Sequence, residues 1–118
     1  MTLFPDMVRG VLSESIIGRA QSGGLIEIGY HNIRDFSTDK HRKTDDTPYG
    51  GGVGMVMTCQ PILDCYEAVK SKIPEGSSTR VIYMSPKGAI FNHGTAKRLA
   101  ESFASRYLKM TQALPNTR

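Results

Sequence analysis

Apolar and polar positions in the first third of the chain follow a helical spacing and then a strand-like one. Pro5 suits the first position of a helix predicted over residues 6–21, and Gly23 and Gly24 end it. The apolar face of this helix consists of Val8, Val11, Leu12 and Ile16. Residues 25–30 then alternate between apolar and polar side chains, which predicts a strand with one buried face.

The second half of the chain shows the same two kinds of spacing. A second helix is predicted to begin near Pro61. Residues 81–84 are continuously apolar, as expected for a buried parallel strand. This run stops at residues 85–88, and a third helix is predicted from near Thr95. The order of these elements indicates an α/β fold with a parallel sheet flanked by helices.

A long polar connection, residues 31–57, joins the first predicted strand to the second helix. Loops of this length are uncommon in compact domains unless they are functional. The connection is rich in glycine, at Gly50, Gly51, Gly52 and Gly54. It matches neither the phosphate loop, because Met55 and Val56 replace the lysine and hydroxyl, nor the dinucleotide fingerprint. It is therefore either a flexible surface turn or a loop whose backbone passes close to a ligand or another chain.

Composition limits the classes of protein that the chain could belong to. Its 118 residues suit one domain with a modest core, and 39% hydrophobic with 22% charged residues argues against disorder. No apolar run approaches the roughly 20 residues of a membrane span, and the N-terminus lacks the pattern of a signal peptide. We therefore expect a cytoplasmic protein without a membrane segment.

The net charge of +4 suggests nucleic-acid binding only until it is located along the chain. Residues 1–92 contain ten Lys and Arg and ten Asp and Glu, so this part is neutral. The whole excess lies in residues 93–118. Net charge thus gives no independent support for RNA binding.

The cysteines and histidines do not predict a metal site. Cys59 and Cys65 are six residues apart in a predicted helix, so they point to different faces and cannot form a disulfide there. They also lack zinc spacing, and we expect two free, core-facing thiols. His41 and Asp45 have a helical spacing that could bring them together, but two ligands alone make a weak site.

The order of several short motifs identifies a family resemblance. The motifs are Leu3-Phe4-Pro5, Ser13-Glu14-Ser15-Ile16-Ile17-Gly18-Arg19-Ala20, His31-Asn32-Ile33-Arg34-Asp35, Thr38-Asp39-Lys40-His41-Arg42, Asp45-Asp46, Pro48-Tyr49-Gly50-Gly51-Gly52, Gly54-Met55-Val56-Met57 and Ser85-Pro86-Lys87-Gly88. With these motifs at family-like intervals, residues 2–101 closely resemble bacterial tRNA (guanine-N1)-methyltransferases, which are trefoil-knotted SPOUT enzymes.

This resemblance implies a fold, a reaction and partners. The fold would be the N-terminal part of a SPOUT-type, Rossmann-like domain. The family reaction moves a methyl group from the cofactor S-adenosyl-L-methionine to N1 of the guanine 3′ to the anticodon of tRNA. The resemblance also implies a homodimer and a cytoplasmic role in tRNA processing.

The resemblance also implies two sets of site residues. The segment after the predicted strand would line the cofactor pocket: Tyr83, Met84, Ser85, Pro86, Lys87 and Gly88. From the residues alone, its last four could equally be a plain turn. The long connection would line the cleft for substrate or for the second subunit, through Arg42, Asp46, Pro48, Tyr49, Gly50, Gly51, Gly52 and Gly54. Arg42 is a candidate phosphate contact, with Lys43 assisting.

Both ends of the chain depart from the family pattern. Met1 and Thr2 stand where the family has a short apolar strand, so we expect this first strand to be truncated. Residues after Glu101 do not match the family's next strand or its knot. We therefore interpret residues 1–101 as the N-terminal part of the domain, with the knot missing, and residues 102–118 as an unmatched tail.

Activity is expected to be absent from this chain alone. The family's catalytic aspartate and arginine lie in the part that the chain does not match, so we assign no catalytic residue. Two other functions remain open. The chain could be a non-catalytic module that binds RNA or a protein partner through the glycine-rich loop. It could also be an anion-binding domain in which the amides of residues 50–54 form a nest.

Overall fold

The computed structural model describes residues 1–112, and the side chains of residues 1–102. The chain divides into two units, Met1–Glu75 and a second one that begins at Gly76. In the described residues, the first unit contains α1 (Pro5–Leu12), α2 (Ser15–Ser22), a 3₁₀ turn, a two-stranded sheet and α3 (Cys59–Lys70). The second contains α4 (His93–Gln112).

The first predicted helix is in fact two helices, so the prediction of one continuous helix over residues 6–21 was wrong. The chain leaves α1 after Leu12 and re-enters a helix at Ser15, whose φ is +55°. Two contacts fix the break. Gln21 Nε2 donates a 2.7 Å hydrogen bond to the Leu12 carbonyl, which has no partner within α1. A Cβ on Gly18 would lie only 2.1 Å from the Ser13 carbonyl oxygen, so only glycine fits there.

The strand predicted over residues 25–30 is not formed in the described structure. Its first residue, Leu25, is 81% exposed. The backbone pairing occurs just after it, where Thr2 forms a parallel bridge with Asn32. Thr2 N donates to His31 O at 2.9 Å, and Ile33 N donates to Thr2 O at 3.0 Å. Alternation alone could not give a strand here, because a strand needs a neighbouring strand with which to form hydrogen bonds.

The core of the first unit lies between α3 and the 3₁₀ turn, Ile33–Phe36. Ile33 is 7% exposed, and Pro61 and Cys65 of α3 are also buried. The helix α3 packs against the 3₁₀ turn. The prediction of a second helix near Pro61 is confirmed. Both cysteines are free, as predicted, but Cys59 is exposed. Its expected core position was wrong because it occupies the first residue of α3, ahead of the buried face.

The sheet consists of two very short antiparallel strands, β1 (Asp45–Asp46) and β2 (Val56–Met57). Asp45 pairs with Met57 and Asp46 with Val56, so the glycine-rich residues form the loop between them. The predicted parallel sheet is therefore absent from the residues that the structure describes, apart from the single bridge at Thr2.

The second unit begins with an extended segment that has no regular secondary structure before α4. Residues 81–84 do not form the predicted buried strand, and their side chains are 62–84% exposed. Asn92 begins α4 as predicted for a third helix, because its side chain accepts a hydrogen bond from Thr95 N at 2.9 Å. The helix continues to Gln112, so it includes the first part of the predicted tail, and residues 113–118 lie outside the described residues. Within residues 1–112, no helix has the length and apolar character needed to cross a membrane.

Candidate functional site

A polar cleft of about 510 Å³ opens in the first unit, between the chain that follows the 3₁₀ turn, the two strands and the start of α3. Carboxylates, hydroxyls, one amide and one amine supply the polar groups of its surface, and apolar atoms make up the rest. The lining residues are Ser37, Thr38, Asp39, Lys43, Asp45, Asp46, Met55, Thr58 and Gln60. Such a lining suits a polar ligand, with Met55 as its apolar wall.

One wall of the cleft is a turn, residues 37–43, that side chains hold closed. The Asp39 carboxylate accepts hydrogen bonds from His41 N at 2.7 Å and from Lys43 N at 3.3 Å. Ser37 Oγ accepts one from Asp39 N at 3.3 Å and donates to the Lys43 carbonyl. The hydrogen bond from His41 N, followed by that from Lys43 N, holds the pKa of Asp39 below its ordinary value. Asp39 is therefore ionised at neutral pH.

Gln60 joins this turn to α3. Its Nε2 donates to the Phe36 carbonyl at 2.7 Å and also to an Asp64 carboxylate oxygen. Its Oε1 accepts from Thr38 N and from Thr38 Oγ1, each at 3.3 Å. One amide side chain thus satisfies groups that lie 22 and 24 residues away along the chain. These hydrogen bonds connect the turn to the start of α3.

The turn presents Arg42 in an unusual backbone conformation. Arg42 has a φ of +53°, a left-handed value that is uncommon for residues other than glycine. Its N–H donates to the Asp39 carbonyl at 3.0 Å, and its Nη1 lies 3.4 Å from an Asp35 carboxylate oxygen. The Arg42 side chain is 71% exposed, so this ion pair is weak. The guanidinium remains accessible to a ligand.

The glycine-rich loop begins and ends beside the cleft, at Asp46 and Met55, and its tip lies away from it. Asp46 lines the cleft and accepts a hydrogen bond from Thr47 N at 2.7 Å. Beyond it, Gly51 N donates to Pro48 O at 3.2 Å and closes a turn. Tyr49 is fully exposed at the loop tip. Of the predicted cleft residues, the structure thus brings Asp46 to the cavity and leaves the tip in solvent.

Three of the four glycines need their lack of a side chain for backbone reasons. Gly50, Gly51 and Gly54 have φ values of +87°, +73° and +100°, which other residues adopt only with strain. Gly52 does not have a positive φ, and a Cβ there would make an ordinary 3.6 Å contact with Pro48. Because Gly51 N–H is already bonded within the turn, it is not free for the anion nest that the glycine run suggested.

The candidate cofactor segment lies in the second unit and is mostly exposed. Ser85 O accepts a 3.0 Å hydrogen bond from Gly88 N, and Ser85 Oγ accepts one of 3.2 Å from Lys87 N, so residues 85–88 form a turn. Tyr83 and Met84 are 84% and 81% exposed. The six residues therefore offer free backbone groups and one turn without enclosing a ligand.

Metal binding finds no support in the described part of the chain. No group of three or more His, Cys, Asp or Glu side chains lies close enough together there to hold an ion.

Comparison with known proteins assigns most of the chain to one family. The family model described as tRNA (Guanine-1)-methyltransferase TrmD matches residues 1–106. The chain belongs to this family. A tRNA (guanine-N(1)-)-methyltransferase from Thermomicrobium roseum is 56% identical over 99 residues, which cover 84% of this chain and 36% of the relative. One from Ruminiclostridium cellulolyticum is 50% identical over 101 residues, which cover 86% and 42%.

The chain spans only about two fifths of the length of these methyltransferase relatives, between 36% and 43% for those compared. The family resemblance inferred from the motifs is thereby confirmed. The roles expected of individual residues are not tested by the match, and they stay predictions.

Two residues of the cleft that matter most to its structure were missed by sequence reasoning. Asp39 had a local signal, because an aspartate often accepts a hydrogen bond from the backbone N–H two residues later, as it does here from His41. Gln60 had none, since its partners Phe36 and Thr38 are distant in sequence. Family membership does not supply either role.

Proposed function

We propose that this chain is the N-terminal part of a tRNA (guanine-N1)-methyltransferase. The intact enzyme would transfer the methyl group of S-adenosyl-L-methionine to N1 of the guanine 3′ to the anticodon. The match of residues 1–106 to the family is the observation that supports this proposal. The exposed Arg42 beside the cleft is consistent with a contact to an RNA phosphate.

The substrate side of the site would be in the first unit. Arg42 is exposed, and a guanidinium is well suited to a phosphate oxygen. Asp46 and the loop from Pro48 to Gly54 would line the cleft that receives tRNA or the second subunit. A homodimer and a cytoplasmic location, where tRNA is the substrate, are parts of the same proposal.

The cofactor side would be supplied in part by Tyr83, Met84, Ser85, Pro86, Lys87 and Gly88. S-adenosyl-L-methionine supplies an electrophilic methyl group. These residues do not fit it as they stand, because their exposure leaves the ligand without an enclosing surface. A parallel sheet and a knot, completed by further chain, would provide it. We therefore propose that the 118-residue chain alone does not methylate tRNA.

Titration of the chain with S-adenosyl-L-methionine tests this part directly. We expect a dissociation constant weaker than micromolar, which corresponds to less than about 8 kcal/mol of binding free energy. A micromolar or tighter constant would show that residues 83–88 already form a pocket, and it would refute the proposed incompleteness of the site.

A chimera tests the proposed reaction. A family-like strand placed before Thr2, and the corresponding part of a relative joined after Glu101, should restore methyl transfer to tRNA. In that chimera, Gly88→Val should weaken cofactor binding, because even a Cβ would lie 3.1 Å from the Ser85 carbonyl oxygen and distort the turn. Combining it with Pro86→Ala should increase the loss.

Lys87→Ala is the matched control in the same turn. A pocket lined by backbone needs no particular side chain at this exposed position, so the control should bind the cofactor nearly as well as the parent chimera. An active chimera in which the Pro86 and Gly88 changes leave affinity unaltered would show that the segment is not the cofactor loop.

A second candidate function is a non-catalytic module that binds RNA. It is favoured by one contrast: the turn over residues 37–43 has its hydrogen bonds satisfied within the first unit, whereas the cofactor segment is exposed. An anticodon stem-loop that binds the chain without S-adenosyl-L-methionine, together with a chimera that remains inactive, would favour this module over the enzyme.

A further inference from the structure

The cleft wall contains a run of cationic and titratable residues that is held by one carboxylate. Lys40, His41, Arg42 and Lys43 are consecutive, and we refer to them as the basic turn. Within it, backbone N–H groups of the residues on either side of Arg42 both donate to the Asp39 carboxylate. The Arg42 N–H itself donates to the Asp39 carbonyl. Three consecutive backbone donors therefore converge on a single residue.

This convergence explains how a left-handed arginine persists. A non-glycine residue at a φ of +53° is strained, and such strain survives only where surrounding contacts over-determine the conformation. Asp39 supplies three of those contacts, and Ser37 supplies a fourth by donating to the Lys43 carbonyl. Relaxation of Arg42 to a negative φ would redirect its side chain and break these bonds.

The charge of Asp39 makes its place in the basic turn informative. A carboxylate beside four cationic or titratable residues weakens their attraction for a polyanion, so electrostatics alone would favour its absence from an RNA-binding surface. Its presence needs another explanation. The hydrogen bonds provide one, because the carboxylate accepts two backbone N–H groups of the basic turn.

We propose that Asp39 is a positioning residue: it holds the basic turn in the conformation in which Arg42 contacts a phosphate of the RNA substrate. This proposal rests on the proposed function, since that function supplies the RNA. It goes beyond it in assigning a role to Asp39, which by charge alone should oppose binding.

The test measures binding of the full chain to an anticodon stem-loop RNA that carries guanosine 3′ to the anticodon. Asp39→Asn keeps the size of the side chain and weakens its acceptance of the two backbone N–H bonds. Weakening of these two exposed hydrogen bonds should lower affinity about fivefold, which is the net effect of losing one hydrogen bond of ordinary strength. Glu67→Gln on the exposed face of α3 is the charge-matched control, and it should leave affinity unchanged or slightly higher.

The dependence on salt and on Arg42 separates positioning from general stability. Affinity falls as salt rises, and Arg42→Ala should make this fall shallower. The slope of log affinity against log salt should shrink in magnitude by about 0.9, as expected for one lost phosphate contact on a duplex stem. Asp39→Asn should also make the slope shallower. In the double variant, Asp39→Asn should add little further loss, because its effect acts through Arg42.

Ser37→Ala provides a neutral second variant, which tests the same idea if Asp39→Asn fails to fold. It removes the hydroxyl that closes the turn onto the Lys43 carbonyl, and it should weaken RNA binding without changing charge. The proposal is overturned if the chain binds the RNA and both variants bind it as well as Glu67→Gln does. Failure of the unaltered chain to bind RNA would instead refute the RNA contact in the proposed function, and the positioning role with it.

Discussion

Two glycines in the first two helices offer a matched test of the break between them. Gly10 lies within α1, and a Cβ there would have no atom within 4 Å. Gly18 lies within α2, and a Cβ there would be 2.1 Å from the Ser13 carbonyl oxygen and 2.7 Å from its carbon. Both positions are helical, so Gly→Ala has the same favourable effect on helix propensity at each. Only the contact with Ser13 differs.

The magnitudes follow from this difference. Replacing a helical glycine by alanine favours folding by up to about 1 kcal/mol, so Gly10→Ala should raise the free energy of unfolding by about that amount. Gly18→Ala gains the same term and loses about 1–3 kcal/mol through overpacking against a backbone atom that cannot rotate away. The two variants should therefore differ by about 1–3 kcal/mol.

Urea and thermal unfolding of the two variants measure this difference. In a unit of this size, 1 kcal/mol corresponds to about 4–8 °C in Tm. Gly10→Ala should melt above the parent chain and Gly18→Ala below it. Equal stabilisation by both substitutions would mean that Ser13 does not approach Gly18, and that α1 and α2 are one helix after all.

Four further predictions concern the rest of the first unit. A thiol reagent should modify exposed Cys59 much faster than buried Cys65, and equal rates by mass spectrometry would contradict the packing of α3. Burial raises the pKa of Cys65, so stability should fall as pH rises above the thiol's ordinary value of 9.0, because the unfolded thiol ionises first; Cys65→Ala should lack this fall in unfolding curves. Gln60→Ala should cost about 1–3 kcal/mol in urea unfolding by leaving the half-buried Phe36 carbonyl without its donor, and a loss under 0.5 kcal/mol would refute the role given to this amide. Amides of residues 48–54 should exchange fast, and slow exchange there would show that the loop is held by contacts not seen in the structure.

The helices of the chain could be predicted in part, because their signals are local. The apolar spacing near Pro61 and the start of a third helix near Thr95 depend on neighbouring residues, and α3 and α4 begin within two residues of these positions. The break before Ser15 could not be predicted in the same way. Its cause is a contact between Gly18 and the Ser13 carbonyl, which apolar periodicity does not register.

The predicted strands failed for a related reason. Alternation over residues 25–30 and the apolar run over residues 81–84 indicate which face a strand would bury. They do not supply a neighbouring strand, and sheet hydrogen bonds always require one. In the described structure Thr2 pairs with Asn32 alone, so neither segment has a partner along its length.

The residues of the candidate site also fall into those that could be predicted from the sequence and those that could not. Arg42 and Asp46 were predicted by family resemblance, and the structure brings Asp46 to the cleft while Arg42 remains exposed. Gln60 was not predictable, because its hydrogen bonds join α3 to a turn more than twenty residues earlier. Resemblance indicates which residues matter, whereas only the fold shows which residues hold them in place.

The hydrogen bonds and the exposed apolar side chains of the two units indicate which ligand, RNA or cofactor, can be studied with this chain. In the first unit, the turn over residues 37–43 closes through Ser37 and Asp39, and Gln60 fastens it to α3, so its geometry depends only on residues 37–64 and their neighbours. In the second unit, residues 81–84 expose apolar side chains and unpaired backbone groups. Burying them requires strands that the described residues do not offer. Binding of RNA should therefore be measurable with this chain, whereas binding of the cofactor should need the completed sheet.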